Sequence, residues 1–150
     1  MPELLLTTVI AASPDACFLL SLSVDAHTSS MGRSGERAVA GVRSGVLSLG
    51  DSVTWQARHF GVPFRMTSRI TAYDQPSRFV DEQVRGPFAV WWHEHRFEEH
   101  DGRTVMTDLV RYRSPAGPLG ALVDRLALER YMRRLLQTRN AWLKAELEAG

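Results

Sequence analysis

The feature that most constrains the fold is a series of short alternating runs between Glu36 and Arg113. Apolar and polar residues alternate with the period of two that is typical of half-buried strands. Turn-forming segments interrupt the runs at intervals of about 10 to 14 residues. These segments are Ser48-Leu49-Gly50-Asp51, Gly61-Val62-Pro63, Asp74-Gln75-Pro76-Ser77, Gly86-Pro87 and Asp101-Gly102. The pattern predicts six antiparallel strands joined as a meander.

Before the meander, the chain predicts one strand and two short helices. The strand covers Glu3 to Ile10, which is rich in β-branched residues and leucine. The first helix covers Pro14 to Ser21, since Ser13 is a good N-cap and proline is favoured at the first helical position. Asp25 is expected to cap a second helix that ends at Ser30.

After the meander, the sequence predicts a long helix from about Leu119 to Glu148, which either kinks near Ala127 or begins as a separately packed turn. Its apolar residues fall on one broad face, formed by Leu128, Tyr131, Met132, Leu135, Leu136, Trp142, Leu143 and Leu147. The opposite face carries polar residues and is expected to be solvated, including Arg130, Arg133, Arg134 and Arg139. The order of elements predicts an α+β fold, in which a curved seven-stranded antiparallel sheet surrounds the long helix.

Composition limits the classes of function. The 150 residues carry 18 Lys+Arg against 17 Asp+Glu, a net charge of +1 that argues against a nucleic-acid-binding protein. The early apolar stretch from Leu4 to Ala12 is far shorter than the roughly 20 residues of a membrane span. Cys17, the only cysteine, is expected to be a buried hydrophobic residue. We therefore expect a single cytoplasmic domain over residues 1–150.

The alternation also predicts which side chains face the interior. On the strand around His93, the even positions Glu94, Arg96 and Glu98 belong in water, so His93 and His95 point inward. The same rule applied to the other strands gives a larger inward set. It comprises Val53, Trp55, Ala57, His59, Phe64, Met66, Ser68, Ile70, Ala72, Ala89, Trp91, Phe97, Thr104, Met106, Asp108, Val110 and Tyr112, and on an ambiguous strand Phe79, Asp81 and Gln83.

Several of these inward residues are polar, which demands an explanation. An unpaired buried polar group costs about 1–3 kcal/mol, and a charge costs more. Two arrangements avoid this cost: a buried hydrogen-bonded network, or a cavity that holds water and ligand. The aromatic and methionine residues that flank the polar groups favour the cavity, although both alternatives stay open.

Several segments resemble the START/polyketide-cyclase superfamily, and in particular its small bacterial cyclase/dehydrase-like branch. The segments are Gly50-Asp51-Ser52-Val53-Thr54-Trp55, Arg58-His59-Phe60-Gly61, Phe79-Val80-Asp81-Glu82-Gln83, Thr104-Val105-Met106-Thr107-Asp108 and the run from Gly86 to Phe97. The resemblance covers nearly the whole chain and implies the helix-grip fold with a deep cavity between sheet and helix. It implies no particular function, because this fold has many.

Three functions follow as hypotheses. The first is binding of a small apolar or amphipathic, lipid- or polyketide-like molecule. Its contacts are predicted at Trp55, His59, Met66, Phe79, Asp81, Gln83, Trp91, His93, His95, Phe97, Met106, Asp108 and Tyr112. The second is cyclase/dehydratase-type acid–base catalysis, with His93 or His95 as base, Asp108 orienting it and Tyr112 as proton donor. The third is a structural or partner-binding domain with a filled core.

Metal binding is the weakest alternative. His93 and His95 have the spacing of metal ligands on a strand, with His59 and Asp108 as further candidates. A hydrogen-bonded pair in a pocket wall is the simpler interpretation, so we expect no metal and no cofactor. His27 is expected at the surface, although a place at the mouth of the cavity is the alternative. The open sheet edge leaves a homodimer as an open alternative.

Overall fold

Seven strands and three α-helices make up the described part of the chain, which is residues 2–59, 61–114 and 125–149 of a computed structural model. The N-terminal elements are β1 (Glu3–Ile10), α1 (Pro14–Ser21), α2 (Val24–Ser30) and a short 3-10 helix (Gly32–Ser34). The remaining elements are β2 (Arg37–Gly41), β3 (Ser52–His59), β4 (Val62–Asp74), β5 (Arg78–Arg85), β6 (Val90–His100), β7 (Arg103–Arg113) and α3 (Arg125–Ala149).

The strands form one antiparallel sheet in the order β1-β7-β6-β5-β4-β3-β2. Register shifts in β2 and β4 bend the sheet. Helix α3 packs on it through Met132 and Leu136, which join Leu4 and Val110 in one apolar cluster. The predicted α+β helix-grip architecture is confirmed, because the six-strand meander, the two short helices and the long helix occur in the expected order.

The two short helices cover one end of the sheet. Ser13 caps α1 by accepting a hydrogen bond from the Ala16 N–H at 3.2 Å, as expected. Phe18 of α1 is fully buried and makes edge contacts with aromatic side chains of three strands, namely Tyr73, Phe79 and Phe97. Cys17 beside it is buried, as expected, and burial raises the pKa of its thiol.

The expected cap of α2 was wrong. The cap lies two residues earlier than predicted, because Ser23 caps α2 by accepting from the Ala26 N–H at 3.1 Å. Ser23 has the extended backbone that a cap requires. The Asp25 carboxylate instead accepts a hydrogen bond from the Gly45 N–H in the loop that follows β2.

Three assignments from the alternation rule were also wrong. Ala89, expected inward, precedes β6 and is exposed. A bulge between Ile70 and Ala72 shifts the register of β4, so that Tyr73 rather than Ala72 packs on the core. Glu94, expected in water, is buried at 3% exposure because Arg78 and Arg96 pair with its carboxylate. Paired charges can be covered in this way, whereas the rule assumes that every charge is solvated.

The long C-terminal helix is present, and its described part begins at Arg125. Residues 115–124, including the predicted start at Leu119, lie outside the described part of the chain. The kink or separate turn predicted near Ala127 depends on those residues. Among the described residues, no helix is both long enough and apolar enough to cross a membrane.

Candidate functional site

A cavity of about 300 Å³ lies between the sheet and α3. Its wall is mostly apolar and aromatic, with contributions from α2, from strands β3 to β6 and from α3. Eight of the predicted contact residues lie in this wall: Trp55, His59, Met66, Phe79, Asp81, Trp91, His93 and His95. The alternation rule therefore identified cavity-lining residues on four different strands.

The other five predicted contact residues lie outside the cavity wall. Phe97 and Met106 belong to the apolar core around α1, and Tyr112 packs in the second cluster with Leu4 and Val110. The Gln83 amide donates to the Phe88 carbonyl and accepts from its N–H, which holds the β5–β6 connection. Asp108 is completely buried behind the wall. These positions give Tyr112 no direct route to a molecule in the cavity.

The polar part of the wall is an imidazole–carboxylate cluster formed by Asp81, His93, His95, Asp108 and Arg139. Strand register sets most of it, since Asp81 lies opposite His93 and His95 lies opposite Asp108. The two imidazoles follow each other on one face of β6 and stack with ring centroids 3.7 Å apart. The pairing of adjacent strands thus places two carboxylates and two imidazoles next to each other.

The hydrogen bonds in the cluster run diagonally across the strands. His93 Nε2 lies 2.8 Å from Asp108 Oδ1, and His95 Nε2 lies 2.7 Å from Asp81 Oδ2. The directly opposite pairs are longer, at 3.8 Å for His93 Nδ1 to Asp81 and 3.4 Å for His95 Nδ1 to Asp108. Each imidazole therefore has its own carboxylate, which fixes the orientation of its ring.

Helix α3 closes the cluster with Arg139 and Asn140. Arg139 Nη2 lies 3.3 Å from Asp108 Oδ1 and 3.4 Å from His95 Nδ1, and Asn140 Nδ2 donates to Asp108 Oδ2 at 2.8 Å. Arg139 is only 6% exposed. The expectation that it belongs to a solvated face was wrong, because its helical position follows Met132 and Leu136 on the buried side.

Both carboxyl groups of the cluster are held in the charged form. Burial alone would raise the pKa of Asp108, but Arg139 and the hydrogen bond from His93 outweigh it and hold the pKa well below its usual range. Burial of Asp81 is likewise outweighed by the hydrogen bond from His95 and by nearby positive charge, which lower its pKa. Two ionised carboxylates therefore face one permanent cation.

The protonation of His95 follows from its surroundings. Burial, together with the charges of His93 and Arg139, lowers the pKa of His95 to about 4, although Asp81 acts in the opposite direction. His95 is therefore neutral near pH 7. Because a carboxylate can only accept, its Nε2–H donates to Asp81 and its Nδ1 accepts from Arg139. His93 donates from Nε2 to Asp108, and its Nδ1 lies 3.8 Å from Asp81 Oδ2.

Three of these residues are of the types that ligate metals. One ligand atom each from Asp81, His93 and His95 lies within 4.8 Å of the others. The Arg139 guanidinium beside His95 opposes a second cation there, because it already compensates the carboxylate charge. His59, considered as a third imidazole, is bonded elsewhere, to Tyr131. The absence of a metal or cofactor stays a prediction.

A second polar group of the wall, which we call the Glu36 cluster, comprises His27, Glu36, His59 and Tyr131. His27 Nε2 lies 2.7 Å from Glu36 Oε1, and His59 Nδ1 lies 2.6 Å from Tyr131 Oη. All four residues line the cavity, and the His27 ring packs on Trp55 with centroids 4.2 Å apart. His27 is therefore part of the cavity wall while its side chain stays 27% exposed, which agrees with the alternative of a place at the mouth of the cavity.

The surroundings of the Glu36 cluster shift the pKa values of Glu36, His59 and Tyr131. Burial would raise the pKa of Glu36, but His27 and the hydrogen bond it makes keep the pKa below the usual value. Burial lowers the pKa of His59, although Glu36 opposes this, and burial raises the pKa of the Tyr131 phenol. Near neutral pH, Glu36 is thus a carboxylate, His59 is neutral and Tyr131 keeps its proton.

The fold and the cavity together define a helix-grip protein with a largely apolar pocket that contains fixed acids, bases and a buried guanidinium. Residues 19–138 match the family model described as polyketide cyclase/dehydrase and lipid transport. The chain belongs to this polyketide cyclase/dehydrase family, which confirms the resemblance found in the sequence. A search of curated proteins found no match.

Solved structures with the same fold come from bacteria and plants. The Zhui aromatase/cyclase from Streptomyces sp. R1128 has a TM-score of 0.78 at 16% identity, covering 98% of this chain and 93% of its own. A protein from Thermus thermophilus has a TM-score of 0.75 at 17% identity, covering 97% and 99%. Major latex-like protein 151 from Panax ginseng has a TM-score of 0.70 at 16% identity, covering 97% of both chains. At these identities, the similarity establishes the fold alone.

Sequence reasoning missed or misplaced four residues of the two clusters. Asn140 and Glu36 were not considered, Tyr131 was assigned only to an apolar face, and Arg139 was assigned to the surface. A signal existed for Arg139, since it lies eight residues after Tyr131 and seven after Met132, spacings that repeat on one helical face. Glu36 offered no such signal, because it precedes β2 in a turn-rich segment.

Proposed function

We propose that this protein binds a small, largely apolar molecule in the cavity, with a polar group of the ligand held by the imidazole–carboxylate cluster. One observation carries the proposal: an open space of about 300 Å³, lined mainly by apolar side chains, has ionisable groups converging on one part of its wall. This combination is typical of small-molecule sites, and the volume lies at the lower end of their range. The ligand is therefore expected to be small.

The buried guanidinium supports a polar contact at the cluster. The hydrogen bonds described for Arg139 all come from Nη2, and its Nε has no partner within the described part of the chain. A guanidinium has five N–H donors, so it has donor capacity beyond these bonds. His93 and Asp81 add one donor or acceptor each at the wall. An oxygen atom of a carbonyl or hydroxyl group suits this set.

The cavity can be filled to test the proposal. Ser68 is buried on β4, lines the cavity and is small. Its replacement by leucine (Ser68→Leu) should occupy part of the space and weaken binding of the apolar fluorescent probe 1-anilinonaphthalene-8-sulfonate by about tenfold or more. Fluorescence titration measures the affinity, and circular dichroism checks the fold.

The matched control introduces the same leucine on the same strand but on its exposed side. Thr71→Leu should leave the affinity for the probe unchanged. Equal affinities for the wild type and both variants would contradict the cavity as the binding site. Native mass spectrometry of the protein purified from its own cells then identifies any ligand that it retains.

Acid–base catalysis is the second candidate, and the His93–Asp108 pair favours it. His93 lies in the cavity wall, and a fully buried carboxylate anchored by Asn140 orients it. An oriented imidazole can remove a proton next to a carbonyl group, as a cyclase or dehydratase requires. The family description includes both activities. Tyr112, the predicted proton donor, packs with Leu4 and Val110 and is not among the residues of the cavity wall.

Substitution of the two histidines separates binding from catalysis. If the protein is a catalyst, His93→Gln should lower turnover of a carbonyl substrate by at least about a hundredfold, the usual effect of a general base, while the ligand still binds. His95→Gln should have the smaller effect, because Arg139 and Asp81 already occupy both nitrogens of His95. Unchanged turnover in His93→Gln would exclude His93 as the base.

The third hypothesis, a structural domain with a filled core, is less well supported because the space between sheet and helix is open. A role in nucleic-acid binding finds no support in the net charge of +1. Homodimer formation stays a prediction.

A further inference from the structure

The cavity wall is polar in two places, and the positions of their contacts along α3 give the distance between them. Tyr131 of α3 contacts the Glu36 cluster through His59, and Arg139 of α3 contacts the imidazole–carboxylate cluster. These residues are eight positions apart on one continuous helix, which corresponds to about 12 Å along its axis. The two polar clusters therefore lie toward different ends of one pocket.

The wall between the two clusters is mostly apolar. Helix α3 contributes Met132, Leu135 and Leu136 from the positions between Tyr131 and Arg139. The facing strand β4 contributes Met66 and Ile70, with the small hydroxyl of Ser68 between them. A molecule that spans the pocket should therefore have a mainly apolar body, since most polar atoms in its middle would lose water without gaining a hydrogen bond.

We propose that the Glu36 cluster is a second polar subsite, and that the ligand is an elongated molecule that places a neutral hydroxyl group against Glu36 and His59. This inference rests on the proposed function, because it assumes that a ligand occupies the cavity. It adds that both ends of the ligand are polar and are recognised separately.

The charges in the Glu36 cluster select the type of group. A ligand anion would be repelled by the buried Glu36 carboxylate, and a ligand cation would compete with His27, which already pairs with that carboxylate at 2.7 Å. A hydroxyl avoids both conflicts. It can donate to Glu36 and accept from a ring N–H of His59, whose Nδ1 is already bonded to Tyr131.

A matched pair of rigid probes tests the second subsite. 4-Phenylphenol has one hydroxyl, and 4,4′-dihydroxybiphenyl has the same body with a second hydroxyl at the opposite end. The dihydroxy probe should bind the wild-type protein about tenfold more tightly, as one additional hydrogen bond to a charged group would give. Isothermal titration calorimetry or displacement of a fluorescent probe measures both affinities.

Two variants test whether the Glu36 cluster causes the tighter binding of the dihydroxy probe. Glu36→Leu should reduce the ratio of the two affinities from about ten to about one, since it removes the acceptor of the second hydroxyl. Tyr131→Phe is a conservative second variant that removes only the phenol oxygen bonded to His59, and it should reduce the ratio by about half or more. Glu146→Leu, on an exposed part of α3, should leave the ratio unchanged.

The outcomes separate this inference from the proposed function. If both probes bind the wild-type protein equally well and Ser68→Leu weakens both, the cavity binds ligands but the Glu36 cluster is not a subsite. If the tenfold preference persists in Glu36→Leu, the second hydroxyl is recognised elsewhere and the inference is wrong. If neither probe binds, and the apolar fluorescent probe also fails to bind, both proposals are wrong.

Discussion

Replacement of Asp108 by leucine should lower the free energy of unfolding by about 3–5 kcal/mol, the cost of breaking a buried ion pair from one side. Asp108 is completely buried and accepts hydrogen bonds from His93, Arg139 and Asn140. Without its carboxylate, the Arg139 guanidinium stays buried beside a neutral imidazole, and Asp81 is the remaining anion of the cluster. Urea unfolding followed by circular dichroism measures the change.

A second substitution distinguishes the lost pairing from a packing defect. In Asp108→Leu/Arg139→Met, both charges of the pair are replaced by apolar groups, and such replacements are often neutral or stabilising. The double variant should therefore be more stable than Asp108→Leu alone. A double variant destabilised by the sum of the two single changes would contradict the interpretation that the unpaired charge is the cause.

Acidification from pH 7.5 to pH 4.5 should destabilise the protein, with His95 contributing about 2–4 kcal/mol. The pKa of His95 is lowered from 6.5 to about 4 in the folded state, chiefly by burial. Below pH 6.5 the unfolded chain therefore binds a proton that the folded protein does not accept. This contribution is fully present above pH 6.5 and is lost as the pH falls toward 4. His59, whose pKa is also lowered by burial, acts in the same direction.

Urea unfolding at several pH values measures this dependence, and a variant assigns it. In His95→Gln, the fall in stability between pH 6.5 and pH 4.5 should be clearly smaller than in the wild type. His100→Gln changes an exposed histidine at the end of the same strand and should leave the pH dependence as it is. An identical pH dependence in the wild type and His95→Gln would contradict a neutral, buried His95.

The carboxyl groups affect the stability of the protein in a lower pH range. The pKa values of Asp81 and Asp108 are lowered in the folded state, so their contribution to stability is present above the ordinary carboxyl pKa near 4 and is lost only as the pH falls below it. During acidification, the contribution of the imidazole–carboxylate cluster to the free energy of unfolding is thus lost in two steps. The histidine step comes first during acidification.

The cluster also explains how a cavity wall can hold so many ionisable groups. Every carboxylate in it is paired with at least one imidazole or guanidinium, and the rings are bonded in turn. The two arrangements considered for the inward polar residues therefore occur together: His93, His95 and Asp81 form part of a hydrogen-bonded network and also line the open space.

Local pattern was sufficient to predict most of the fold. Alternation, capping and turn chemistry depend on neighbouring residues only, so β1 and α1 were predicted with the observed bounds, and the inward direction of His93, His95 and Asp108 was correct. The wrong assignment of Ala72 arose at a bulge. A bulge depends on pairing with the next strand, which alternation along one strand cannot reveal.

The two polar clusters could not be predicted from local sequence, because their contacts form only in the folded chain. The sequence alone predicts a curved sheet that packs around a long helix, with polar side chains directed toward the interior. Strand register decides that His93 pairs with Asp108 and His95 with Asp81, and the docking of α3 decides that Arg139 and Asn140 complete the network. Glu36 and Tyr131 meet His27 and His59 across the same cavity. The contacts made by α3, such as Tyr131 with His59 and Arg139 with Asp108, join residues far apart in the chain, so only packing of the helix against the sheet brings them together.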